Sequence, residues 1–160
     1  MANEALATST LGIDLIKHFE DFEAEAYQDS GGVWTIGYGT TKINRIPVKK
    51  GMRCTEDEAL EWLADDVIGA EKSVHTLTKV TLKQHQFDAL VSFTYNCGAG
   101  NLHKSTLLKK INWNESVEQR HFTDYNKARV NGILTPLKGL TRRRKAEYYL
   151  FHFGTLQFHF

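Results

Sequence analysis

Residues 24–43 read AEAYQDSGGVWTIGYGTTKI. Ser30-Gly31-Gly32 is a turn signal between two β-prone runs, so the stretch predicts a hairpin. In its second run Trp34, Ile36 and Tyr38 alternate with Val33, Thr35 and Gly37. Side chains alternate faces along a strand, so Thr35 falls opposite the aromatics. Four of the 12 glycines (Gly31, Gly32, Gly37 and Gly39) lie in this stretch, and Pro47 and Pro136 are the only prolines. The rest of the chain therefore reads as helical. The expected class is α+β, mostly α, with one small β region near residues 26–46.

On the N-terminal side, Thr10 is placed to cap a helix running to about Phe22, with Ile13, Ile16 and Phe19 at helical spacing. At 100° per residue Glu20 falls between Ile13 and Ile16, while Asp14, Lys17 and Asp21 share the opposite flank. On the C-terminal side, Thr55 and Glu58 form a T-x-x-E capping box ahead of a stripe of Leu60, Leu63, Val67, Ala70 and Val74. That helix, about 56–78, reads as a connector between lobes of about 11–55 and 80–160 within one domain. Thr81 and Gln84 repeat the capping pattern. Leu82 to Tyr95 is apolar all round (Phe87, Leu90, Val91, Phe93), which predicts a buried helix ended by Gly98 and Gly100. Shorter helices are expected over 105–112, 115–127 and 141–152, with Asn131-Gly132 as a tight turn between them.

The 160 residues fit one domain or two small lobes, and 41% hydrophobic residues exclude global disorder. No apolar run reaches the ~20 residues of a membrane span. The start, MANEALATST, lacks the basic-then-apolar order of a secretory signal. Cys54 and Cys97 stand outside any CxxC pattern, and reduced thiols are the expectation. The seven histidines show no HExxH spacing. The net charge of +1 conceals a division: residues 1–75 carry a net −7 and residues 76–160 a net +8. A basic half points to an anionic partner without naming it. Arg142-Arg143-Arg144-Lys145 comes with no nucleic-acid motif, so nucleic acid is not the expected partner. Trp34, Trp62 and Trp113 could stack on sugars, although core packing is their commoner use.

Glu20 and Asp29 are the pair that carries chemistry. Hydrolysis of a glycosidic bond needs one carboxyl group kept protonated and a second kept ionised, in different environments. Glu20 sits late on a helix among apolar neighbours, which raises a carboxyl pKa. Asp29 precedes Ser30-Gly31, where water and backbone donors are available. Thr35, six residues on, is a hydroxyl that a hairpin could bring within hydrogen-bonding reach of Asp29. Taken singly, each residue has an ordinary use: a solvated helix charge, a turn aspartate, a β-branched strand residue.

The pattern E-x8-D-x5-T from Glu20 to Thr35, followed by Ile-Gly-Tyr-Gly, resembles the phage-type lysozymes, the endolysins of glycoside hydrolase family 24. QFDALVSFTYNCGAGNLHKSTLLKKIN (86–112) is similar to that family's central helix, and PLKGLTRRRKAEYYLF (136–151) to its C-terminal helical region. The resemblance spans about residues 11–152. It implies a small lobe with a β hairpin joined by a long helix to an all-helical lobe, with the cleft between. It also implies hydrolysis of the β-1,4 bond between N-acetylmuramic acid and N-acetylglucosamine in peptidoglycan. Glu20 would be the general acid, and Asp29 and Thr35 would place the attacking water, with inversion.

Tyr95, Asn96 and Thr106 (or Ser105) match substrate-lining positions. Arg143, with Arg142 and Arg144 as alternatives one residue away, matches an arginine that approaches the catalytic Glu, a cation that would favour the ionised form and oppose the effect of burial. Some relatives carry His where this chain has Thr40. The resemblance implies no cofactor or metal and a monomer. It implies accumulation in the host cytoplasm and release to the periplasm and cell wall with help from a holin; the basic second half, separately, suits contact with an anionic outer-membrane surface. A lytic transglycosylase and a non-catalytic peptidoglycan-binding protein are the competing readings. Asp29 and Thr35 speak against the first, and the intact triad against the second.

Overall fold

The computed structural model describes residues 2–160. These contain seven helices and three two-stranded antiparallel hairpins, a mostly helical α+β fold. The chain divides into two compact units. One combines the residues up to Leu15 with Ala70–Phe160, and the other is Ile16–Gly69. Helix α1 (Thr10–Glu20) and helix α2 (Glu56–Leu77) each begin in one unit and end in the other. No helix among the described residues is long and apolar enough to cross a membrane.

In the Ile16–Gly69 unit, β1 (Glu23–Gln28) pairs with β2 (Trp34–Gly37) at Tyr27↔Thr35 and Gln28↔Trp34. Ile36 and Ala26 are buried with Val48, and Trp34, Met52 and Trp62 pack against them, but Thr35 and Gly37 are buried as well, so burial does not alternate along β2. Strand β2 closes on itself through reciprocal 2.9 Å bonds between the backbones of Ile36 and Thr40. That loop needs a left-handed residue at Gly37 (φ 66°), where a Cβ would also lie 2.9 Å from the Ala59 Cβ. A second hairpin joins β3 (Lys42–Ile43) and β4 (Ile46–Pro47). The capping box forms reciprocally at the start of α2, with Glu58 N–H donating to Thr55 Oγ1 at 3.2 Å and Thr55 N–H to Glu58 Oε1 at 3.0 Å. Ala59, Leu63, Val67, Ala70 and Val74 are the buried stripe of α2.

The larger unit is built on α3 (Gln84–Cys97), in which Phe87 to Thr94 are all buried. Its main partner is α7 (Lys138–Phe153). Phe93 meets Phe122 and Tyr125 edge-on, with ring centroids 6.0 and 5.1 Å apart. The N-terminal segment is tied in by side chains. Asn3, 2% exposed, donates to Thr78 Oγ1 and Val80 O and accepts from Leu82 N–H. Thr8 donates to Glu71 from both backbone and hydroxyl.

Several local expectations need correction. Thr10 is the first helical residue rather than the cap; Ser9 precedes it and gives its N–H and hydroxyl to the buried Asp88. Helix α1 stops at Glu20 because Asp21 turns left-handed at φ 55°. Helix α3 is entered at Lys83, whose N–H donates to Gln86 Oε1 at 2.9 Å, so the Thr81–Gln84 pattern is not used. Gly98 ends α3, but Gly100 lies inside α4 (Ala99–Lys104). The 105–112 helix is α5 (Thr106–Asn112), and the 115–127 helix shrinks to α6 (Gln119–Thr123).

The lobe expected to be all helical carries a hairpin of β5 (Lys127–Val130) and β6 (Ile133–Pro136). Asn131 (φ 51°) and Gly132 (φ 79°) form its two-residue loop. Asn-Gly favours that left-handed pair, and a loop of this type matches the twist of paired strands.

Candidate active site

Asp29 sits where β1 turns into β2. Its N–H donates to Val33 O, and its carbonyl accepts from Gly32 N–H, both at 2.9 Å. Its carboxylate caps the same turn: Oδ1 accepts from Gly31 N–H and Val33 N–H, each at 2.9 Å. Gly32 supplies the left-handed step at φ 80°. Asp-Ser-Gly-Gly thus folds into a loop that fixes one carboxylate oxygen and leaves Oδ2 without a hydrogen bond. Asp29 itself is exposed.

Thr35 is 4% exposed, and its hydroxyl donates to Val33 O at 3.0 Å. No hydrogen bond joins Thr35 to Asp29, contrary to the sequence expectation. Both side chains instead grip Val33, Asp29 through its N–H and Thr35 through its carbonyl. With its proton committed to Val33, the Thr35 hydroxyl oxygen faces any further partner as an acceptor. Glu20 is the last residue of α1 and is half-buried.

Tyr27, which the motif does not contain, lies directly across the hairpin from Thr35. Partial burial raises its phenol pKa first, and the charges of Glu20, Glu23, Asp29 and Asp21 then add to the rise. The charges of Glu20 and Asp29 thus both disfavour the ionised phenol. Its sequence signal was the period-two alternation, which puts Tyr27 and Asp29 on one face.

Thr40, where some relatives have His, is fully buried and donates to Asp66 Oδ2 at 2.6 Å. Burial raises the Asp66 pKa above its ordinary value, with the Thr40 bond opposing. Tyr38 donates to Glu56 Oε1 at 2.9 Å, and Lys17 Nζ lies 5.6 Å from the Tyr38 ring centroid. These contacts brace the loop that follows Thr35.

The remaining expected site residues belong to the larger unit. Tyr95 is half-buried and Asn96 exposed at the end of α3. Asn96 lines a cavity of about 520 Å³ with Tyr125, Lys127, Leu134 and Leu140. Ser105 caps α5, accepting from Leu108 N–H at 3.0 Å and donating to Leu102 O at 2.7 Å, whereas Thr106 is exposed. The hydroxyl available to a ligand is thus that of Thr106.

The three consecutive arginines separate by helical position. Arg142 is exposed, while Arg143 and Arg144 are 3% and 0% exposed. Arg143 faces Glu147 and Ser92 at 3.4 Å. Arg144 pairs with Glu147, contacts the Cys97 thiol and lies over the Phe93 ring. Cys54 and Cys97 are free thiols. Among the described residues no group of three or more His, Cys, Asp or Glu side chains could hold a metal ion.

A family model described as phage lysozyme matches residues 17–147. The endolysin of Acyrthosiphon pisum secondary endosymbiont phage 1 is 40% identical over 144 residues, covering 89% of this chain and 96% of that protein. The endolysin from Escherichia coli O157:H7 phage FAHEc1 superposes with a TM-score of 0.91 at 38% identity, over 95% of this chain and 97% of that one. The muramidase domain of SpmX from Asticaccaulis excentricus gives a TM-score of 0.83 at 34% identity, over 92% of this chain and 98% of that one.

Proposed function

Because the chain belongs to the phage lysozyme family and is an endolysin of the muramidase type, we propose that Glu20, Asp29 and Thr35 perform its hydrolysis of peptidoglycan. Glu20 gives its proton to the oxygen between N-acetylmuramic acid and N-acetylglucosamine as that bond breaks. Asp29 takes a proton from the water that attacks the opposite face of the sugar. The observation that carries this reading is the fixed Asp29 loop, with Oδ1 held by two N–H groups and Oδ2 open. A water that gives one hydrogen to Oδ2 and the other to the Thr35 hydroxyl oxygen keeps a lone pair free for the sugar carbon. Two acceptors fix that orientation, which lowers the entropy cost of the attack.

Tyr95, Asn96 and Thr106 are the proposed substrate-side residues of the larger unit, whereas Arg143 is buried against Glu147 and Ser92. Asn96 and Thr106 offer exposed polar groups to acetamido or hydroxyl groups of the glycan. The net +8 of residues 76–160 favours a wall polymer whose peptide stems carry carboxylates. The same charge suits an anionic outer-membrane surface. Storage in the host cytoplasm, holin-assisted release and action as a monomer complete the reading.

The test compares wild type with Glu20→Gln, Asp29→Asn and Thr35→Val on purified peptidoglycan. Glu20→Gln should lose turnover by 10²-fold or more, the usual scale for a general acid. Thr35→Val keeps the fold and loses the acceptor, so kcat should fall more than KM rises. Mass spectrometry should find products that have gained one water. Anhydro sugars would instead identify a transglycosylase, and wild-type turnover by Glu20→Gln would remove Glu20 from the mechanism.

A further inference from the structure

Of the three tryptophans, Trp34 and Trp62 pack against the apolar cluster of the smaller unit, but Trp113 is 70% exposed. Trp113 caps the C-terminal end of α5, its N–H bonded to Lys109 O at 3.0 Å, and Asn114 turns left-handed after it. The preceding residue locks this position. Asn112 Oδ1 accepts from Lys79 N–H at 2.8 Å, and its Nδ2 donates to Leu77 O at 2.9 Å. The end of α5 is thereby stapled to the end of α2, with Trp113 and Lys79 presented side by side on fixed backbone.

Beside the indole runs a groove of two adjoining hollows, about 290 and 420 Å³, which share Thr76, Leu77 and His103. Trp113, Lys79 and Lys109 line the first and Lys72 the second, and neither has an Asp or Glu in its lining. An exposed indole alone is unremarkable on a protein surface. Joined to a shallow groove lined by Lys72, Lys79 and Lys109, on a rigid mount, it has the parts that recognise an anionic saccharide chain. The flat apolar ring packs on the C–H face of a sugar, and the ammonium groups meet carboxylates. A groove with a polar Thr76 wall suits a polymer strand better than a flat lipid surface.

We propose that the Trp113 groove is a second binding site for the peptidoglycan strand, built from residues that take no part in bond cleavage. The identity of the polymer rests on the muramidase reading above. Such a site holds the enzyme on insoluble wall between cleavage events, through effective concentration at the surface.

The experiment uses full-length protein carrying Glu20→Gln, so that the wall persists, and measures co-sedimentation with purified sacculi. Adding Trp113→Ala should weaken retention fivefold or more, with Trp113→Phe recovering part of it. Adding Lys79→Glu with Lys109→Glu should weaken retention and flatten its dependence on salt. In the Glu20-intact background, Trp113→Ala should slow digestion of sacculi while leaving cleavage of a soluble fragment of two disaccharides within twofold. Unchanged retention by both sets of variants overturns the proposal. So does a loss confined to vesicles of phosphatidylglycerol and phosphatidylethanolamine, which would assign the surface to lipid. Release of reducing ends by the wild type tests the muramidase reading separately, so either reading can fail alone.

Discussion

Glu147→Gln removes one negative charge from the interior of the larger unit. Glu147 is 0% exposed, and its Oε2 accepts from Ser92 Oγ at 2.6 Å and Arg144 Nη2 at 2.8 Å, with Arg143 Nε at 3.4 Å. Its Oε1 lies 2.6 Å from Arg144 Nε. Glutamine keeps one oxygen for one of these donors, but its NH2 group then confronts a guanidinium, donor against donor. Arg144 is also 0% exposed, so water cannot replace the lost carboxylate. Breaking a buried ion pair from one side costs about 3–5 kcal/mol. That is a large share of the ~5–15 kcal/mol by which a folded chain of this kind is stable. The expected fall in Tm is roughly 6–20 °C for a chain this long.

Urea titration followed by circular dichroism measures the loss directly. Ser92→Ala provides an internal scale. It removes one hydrogen bond to a charged group and should lose about 1.5–3 kcal/mol. The double variant should lose less than the two single losses combined, because both act on Oε2. A loss below about 1 kcal/mol for Glu147→Gln would refute the reasoning, since no dry ion cluster could tolerate that change so cheaply.

Two further outcomes follow from the titrating groups. Burial, then the Arg120 charge, lowers the His121 pKa below its ordinary 6.5; Nδ1 accepts from Glu118 N–H at 2.9 Å, and Nε2 is buried without a partner. The unfolded imidazole therefore takes up a proton at higher pH than the folded one. Stability should be full above about 6.5 and fall as pH drops below it. Denaturation midpoints between pH 7.5 and 5 should show that slope, and His121→Asn should flatten it. Burial pushes the Cys97 thiol up to about 11 against the pull of Arg144. Alkylation by iodoacetamide at pH 8 should run on the order of 100-fold slower than for an ordinary thiol, and a fast reaction would mean that the thiol is reached by solvent.

The sequence made the hairpin, the α2 capping box and the α3 core legible because each has a local cause. Ser30-Gly31-Gly32 can only turn, and Thr55 and Glu58 cap each other without help from distant residues. The Asp29 site was legible as residue types but not as geometry. Thr35 was expected to reach Asp29, yet its hydroxyl found the Val33 carbonyl first, a choice that depends on strand register. Tyr27 stands outside the motif for the same reason: only the strand pairing places it across from Thr35. The β5–β6 hairpin is hidden because Asn131-Gly132 fits a turn between helices equally well. Its flanks, Lys127–Val130 and Ile133–Pro136, are too short for alternation to declare itself. Asp88 as the acceptor for Ser9 joins residues 79 apart, beyond any local pattern.

The side-chain bonds of Asn3, Thr8 and Ser9 reach partners between Glu71 and Asp88. The segment around Asn3 therefore belongs to a unit whose other residues, Ala70–Phe160, are made after those of Ile16–Gly69. Ile16–Gly69 is contiguous and has all its residues once Gly69 has left the exit tunnel. Asn3, Thr8 and Ser9 must wait for 63 to 79 further residues before their partners exist. Vectorial synthesis thus imposes an order that refolding from denaturant does not. During that interval none of the three groups that bond Asn3 in the fold has yet been made.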